Sequence, residues 1–136
     1  MKRMITLGVV IAAIAGCELS EQGAISKGQE MVASTLKDPG SAMFSSVRMV
    51  ETQTAGDLHN GYLCGQVNSK NSFGGYTGPK RFVANFQYTN GGRVEVSNVQ
   101  LEEGLNAREA SEGETIFERF DWSKKCAQSA AGTVAG

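Results

Sequence analysis

Between Arg81 and Leu101 the chain reads RFVANFQYTNGGRVEVSNVQL, and no other stretch restricts the fold as strongly. Phe82, Ala84, Phe86 and Tyr88 alternate with Arg81, Val83, Asn85 and Gln87, the period-two pattern of a strand with one face in a core. TNGGR then supplies a hairpin turn, since Asn-Gly and Gly-Gly accept positive φ at little cost. VEVSNVQL returns as the next strand, with Val94 and Val96 inward. A sheet with one apolar face has to be covered by another element.

The cover lies upstream. Ile25, Val32 and Leu36, joined by Ala24, Met31 and Ala33, fall on one helical stripe between about Ser20 and Leu36. Gly28 sits on the same stripe, where a missing side chain either permits close approach to a sheet or only weakens the helix. KDPG ends the segment, because Pro39 disfavours helical geometry at Asp38. SAMFSSVRMVETQT reads as a strand built on Phe44, Val47, Met49 and Val50, and its imperfect alternation predicts a bulge or an irregular start. AGDLHNG is expected to turn, with Asn60-Gly61 its strongest element, and Tyr62 to Asn68 to form the second strand. EEGLNAREASEGE reads as a polar loop. TIFERFDWSKKC sets Ile116, Phe117 and Phe120 at helical spacing, with Trp122 and Cys126 following. The expected architecture is α+β: an N-terminal helix packed on a small antiparallel sheet of about four strands, then a short C-terminal helix. One globular domain is expected over 24–126. Residues 127–136 have too little apolar bulk to pack and are expected to form a flexible tail.

At 136 residues there is room for one domain, and the N-terminus reduces that room. MKRMITLGVVIAAIAGC has Lys2 and Arg3, then an apolar run from Met4 to Ala15 broken only by Thr6 and Gly8. Twelve residues at ~1.5 Å each reach roughly 18 Å, short of the ~30 Å hydrocarbon core. A secretory signal over 1–16 accounts for the charge, the length and the small-residue exit together. The closing IAGC resembles the bacterial lipobox. That resemblance implies cleavage before Cys17, lipid on its sulfur, and a lipidated tether over 17–23. An ordinary signal peptide or a short membrane anchor is the alternative. Several acyl chains would hold the protein durably on a bilayer. Glu18 is not the Asp that favours inner-membrane retention in enteric species. The expectation is therefore a cell-envelope protein, lipid-anchored at the outer membrane and facing the periplasm. Without Lys2 and Arg3, 11 basic residues face 14 acidic ones, net −3. No basic field suited to phosphate neutralisation exists, so nucleic acid is not an expected partner.

Of three cysteines, Cys17 is assigned to lipid. Cys64 and Cys126 form an even pair in an oxidising compartment, which favours a disulfide; two buried free thiols are the alternative. Closing so long a loop is worth ~4 kcal/mol in the chain-entropy model. Catalytic candidates are scarce. His59 is the one histidine, in DLHNG, and Asp57 two residues away comes with no nucleophile. One His with two paired Cys offers no zinc or copper set, and no calcium loop pattern occurs. No cofactor is expected. GGYTGPK fails as a phosphate loop because Pro79 separates Gly78 from Lys80. Glu102, Glu103, Glu109, Glu112 and Glu114 could pair for glycan hydrolysis but read as a solvated face.

The glycine-rich segment of LCGQVNSKNSFGGYTGPKRF admits two readings. In one it is an elaborate strand connection: Gly74, Gly75 and Gly78 allow turns, Asn68 and Asn71 cap them, and Tyr76 folds onto the sheet. In the other, Lys70, Phe73, Tyr76, Lys80 and Arg81 form a presented patch of the composition found in protein-binding hot spots. The segment also bears a resemblance. Asp38, Pro39, Ser41, Ala42 and Phe44 follow the pattern DPxSAxF. Cys64, Gly65, Val67, Asn68, Lys70, Asn71, Gly74, Gly75, Tyr76, Gly78 and Phe82 follow CGxVNxKNxxGGYxGxxxF. On these residues, with a late Trp122 and Cys126, the chain resembles a group of small, mostly uncharacterised lipoproteins and secreted proteins of proteobacteria and their phages. The match is close from Leu36 to Phe82 and loose elsewhere, and it implies no particular activity. The functional expectation is a non-catalytic envelope lipoprotein that binds a protein partner in the periplasm, in the format of inhibitor, immunity or exclusion lipoproteins. The alternative is a structural or ligand-binding component touching peptidoglycan, glycan or lipid.

Overall fold

The computed structural model describes residues 16–104 and 111–127. Residues 1–15, 105–110 and 128–136, and with them the expected signal segment and flexible tail, lie outside the described residues. Ser20 opens helix α1 (Glu21–Ala33): its hydroxyl accepts from the Gly23 N–H, and Glu21 occupies the first turn, both favourable at a helix N-terminus. The helix stops three residues short of Leu36. Ser34 and Thr35 hydroxyls donate to the Met31 and Val32 carbonyls, competing with the helical ladder. Leu36 still packs against the core from the following turn. Leu19 donates its N–H to the Asn90 carbonyl and also packs on the core, so packed structure begins before residue 24.

Strands β1 (Met43–Ala55), β2 (Leu58–Asn68), β3 (Lys80–Thr89) and β4 (Val94–Leu101) form an antiparallel meander in chain order. The β3–β4 hairpin turns where expected, with Gly92 at φ +100° and the Thr89 N–H donating to Arg93 O. β1 is irregular near its start, slipping register between Ser45 and Arg48 with Ser46 at φ +51°. The expected Asn60-Gly61 turn is corrected. Ala55 pairs with Leu58, so the reversal is Gly56-Asp57, with Gly56 at φ +62°, and Asn60 and Gly61 lie inside β2. Gly61 is needed for proximity instead of curvature. A β-carbon there would stand 2.1 Å from Val50 O, beside the second β1 bulge between Glu51 and Gln53.

Helices pack on both faces of the sheet. On one, Ala24, Ile25 and Val32 of α1 pack on Leu63, Val67, Phe82, Ala84, Phe86 and Tyr88. Gly28 resolves in favour of close approach, since its β-carbon would lie 2.8 Å from the Phe86 ring and 3.0 Å from a Leu63 methyl. On the other face, helix α2 (Phe117–Cys126) buries Phe117 and Cys126 against Cys64 and Val83, flanked by Val50, Tyr62 and Trp122. The Cys64–Cys126 disulfide ties the helix down. α2 is wound in the wide π form, with the Ala127 N–H reaching the Trp122 carbonyl five residues back. That winding brings Phe117, Trp122 and Cys126, spaced five and four apart, to one side. Ile116 and Phe120 point outward.

Candidate functional site

Between β2 and β3 the chain makes a small closed excursion at one pole of the sheet. Lys70 and Tyr76 pair across it as an isolated antiparallel bridge. The Asn71 N–H donates to Gly75 O (2.8 Å) and the Gly74 N–H to Asn71 O (3.0 Å). The Asn71 side-chain oxygen accepts from the Phe73 N–H (2.9 Å) and the Gly75 N–H (3.2 Å). Gly74 sits at φ +81°, a conformation a side chain would strain. The base is held from far along the chain: the Lys70 N–H donates to the Ser41 hydroxyl (2.9 Å), which itself donates to Asp38 O (2.8 Å). DPGSAMF and the glycine-rich segment therefore meet. Phe44 pairs with Val67 and meets Phe82 edge-on at 5.8 Å, while a β-carbon on Gly65 would stand 2.8 Å from Val47.

The connection reading holds for Asn71 and the glycines but not for Asn68, whose side-chain oxygen caps nothing, or for Tyr76, which is half exposed instead of folded onto the sheet. Asn71 and the glycines build the turn, and the turn presents Phe73, 97% exposed. Tyr76 is 47% exposed, with the Lys70 ammonium 5.5 Å from its ring. Asn68 stands at the base with its side-chain oxygen buried and unpartnered. Lys80 opens β3, paired with Val67.

Arg81 does not belong to the patch. Its guanidinium meets Glu102 Oε1 at 2.7 Å and Glu118 Oε2 at 2.7 Å, and lies 4.8 Å from the Trp122 ring and 5.7 Å from that of Phe117. Hydrogen bonds from Arg81 hold the Glu102 carboxyl below the usual carboxylate range, and hydrogen bonding to Glu102 raises the guanidinium in turn. Charge alone could not separate Arg81 from Lys70 in the sequence; the two carboxylates reach it from 21 and 37 residues away.

His59 faces Glu51 on β1, Nδ1 to Oε1 at 2.6 Å, and not Asp57. Its ring stacks on Tyr88 with centroids 4.6 Å apart. The hydrogen bond with His59 lowers the Glu51 pKa, while burial raises that of the Tyr88 phenol. The cluster joins β1, β2 and β3. Among the described residues no three His, Cys, Asp or Glu side chains are grouped to hold a metal ion.

The excursion and the N-terminus occupy opposite poles. β2 spans ten residue steps from Leu58 to Asn68, about 33 Å at ~3.3 Å per residue. Leu19 is bonded to Asn90, whose N–H donates to Asp57 O, so Cys17 emerges beside the two hairpin turns. Phe73 projects from the far end. Sequence reasoning missed this polarity, which only the Leu19–Asn90 bond reveals. It also missed a recess on the α2 side of the sheet, lined mainly by polar side chains of all four strands, with Glu95 its one carboxylate. In searches of family models, curated proteins and solved structures, nothing matches the chain.

Proposed function

We propose that the protein is a non-catalytic envelope lipoprotein, lipidated at Cys17 and held at the outer membrane, that binds a protein partner in the periplasm through the tip of the glycine-rich excursion. The observation carrying this reading is Phe73. Exposing a whole phenylalanine ring is unfavourable by roughly 1.5–3 kcal/mol relative to burial, and here the ring stands on a turn fixed by four hydrogen bonds. A rigid aromatic loses little entropy when it enters a partner's pocket, the usual basis of a hot spot. Tyr76 and Lys70 extend the contact, and Lys80 and Asn68 lie at its base. The polarity of the fold supports the same reading. An acyl chain on Cys17 leaves the tip about 30 Å from the anchored pole, by strand length, where a soluble partner or the exposed domain of another envelope protein can reach it. Inhibitor, immunity and exclusion lipoproteins share this format.

Co-purification from solubilised envelope tests it. Wild type is expected to recover a stoichiometric protein, and Phe73→Ser with Lys70→Glu to lose it while the disulfide and melting temperature are retained. No recovered partner, or undiminished recovery by the folded double variant, contradicts the reading.

A further inference from the structure

We propose that the open half of the α2-side sheet face is a second binding site, for a neutral oligosaccharide. α2 covers only the half of this face around Cys64 and Val83. Beyond it, two rows of side chains cross the sheet. In one, Asn60 pairs with Gln87 and Gln87 with Glu95, and Thr52 joins through its hydroxyl, 3.3 Å from the Asn60 carbonyl. In the other, Tyr62 pairs with Asn85 and Asn85 with Ser97. Together they line a recess of about 360 Å³, within the range of small-molecule sites.

The chemistry of the rows selects the ligand. Thr52, Asn60, Gln87, Asn85 and Ser97 each both donate and accept hydrogen bonds, as sugar hydroxyls do. Strand spacing sets neighbouring groups ~4.8 Å apart, a regular grid along which a chain of hydroxyl pairs can register. The one carboxylate, Glu95, is engaged by the Gln87 amide (2.8 Å) and by Arg93 (3.4 Å). A solvated sheet face ordinarily mixes lysine and glutamate for solubility. Among the described residues that line the recess there is no cation to meet a phosphate or carboxylate ligand, and the single carboxylate is shared with Gln87 and Arg93. Tyr62 marks the border with α2, the Lys125 ammonium 5.7 Å from its ring, and supplies an apolar surface for a sugar's C–H face. The recess lies toward the Cys17 pole: Asn60 is eight strand residues from Asn68, about 26 Å. It is thus separate from the Phe73 tip and does not depend on the protein-binding reading.

The test is calorimetric titration of the full chain, in a detergent without a sugar headgroup, with an N-acetylglucosamine tetramer and with maltotetraose. Saturable binding of at least one is expected. Asn85→Ala with Gln87→Ala should weaken it at least tenfold with circular dichroism unchanged, and Phe73→Ser should leave it unaltered. No saturable binding of either probe at millimolar concentration overturns the proposal. So does undiminished binding by the folded double variant, or a recess that responds only to peptides.

Discussion

Replacing Gly61 with alanine tests the β1–β2 geometry at its tightest point. The new β-carbon would lie 2.1 Å from the Val50 carbonyl oxygen and 2.9 Å from the Glu51 α-carbon. A β-carbon has no rotamer, so relief requires β1 and β2 to separate. The pairs Val50–Tyr62, Glu51–Gly61 and Gln53–Asn60 surround the site. Losing two or three hydrogen bonds at a net ~1 kcal/mol each is destabilising by about 2–3 kcal/mol. Alanine returns up to ~1 kcal/mol by restricting the unfolded chain. The net loss is about 1–3 kcal/mol, a fall in Tm of roughly 4–12 °C for a domain of this size. Gly56 is the control: it sits at φ +62° in open space, so alanine there meets only the left-handed backbone penalty of ~1 kcal/mol. Urea unfolding followed by circular dichroism and by the fluorescence of Trp122, the one tryptophan, measures both variants. A Gly61→Ala protein within 0.5 kcal/mol of wild type, or one hurt less than Gly56→Ala, would refute the strand placement.

Three other outcomes are expected. Unreduced peptide mass analysis should join Cys64 to Cys126, and Cys64→Ser with Cys126→Ser should destabilise by ~4 kcal/mol for a sequence separation of 62, read as the urea midpoint. Stability should be level from about pH 5 to neutral and fall on acidification, because Glu102 and Glu51 have folded-state pKa values below the unfolded ~4.3; their contribution is complete above that value and disappears as pH drops through the folded pKa. Arg81→Met should flatten that acid limb in pH-resolved unfolding. Asn71→Ala should remove both side-chain bonds to the tip, seen as faster hydrogen exchange at the Phe73 and Gly75 amides with a loss of ~1 kcal/mol or less.

Local chemistry explains which features the sequence disclosed. The β3–β4 hairpin was legible because alternation and TNGGR agree, and the stripe of α1 because Ile25 and Val32 repeat at helical spacing. Asn60-Gly61 misled because a dipeptide has the same local preference in a hairpin turn and in a strand crowded by a bulged neighbour. Only pairing with Val50 and Glu51 distinguishes them. The wide winding of α2 depends on Phe117, Trp122 and Cys126 finding one face of the sheet, a tertiary demand. Within the candidate site, the segment and its turn formers were legible. That Phe73 is the residue presented, and that Arg81 is withdrawn under α2, follow from contacts with Ser41, Glu102 and Glu118 far away in sequence.

The central claim is that Phe73 touches a protein, and a photo-crosslinking residue substituted there tests it most directly. Illumination of intact envelopes is expected to give one discrete, heavier protein adduct. The same residue at Asp57, at the pole where Cys17 emerges, should not give that adduct. Absence of any protein adduct from position 73 in a folded, exported chain would contradict the account.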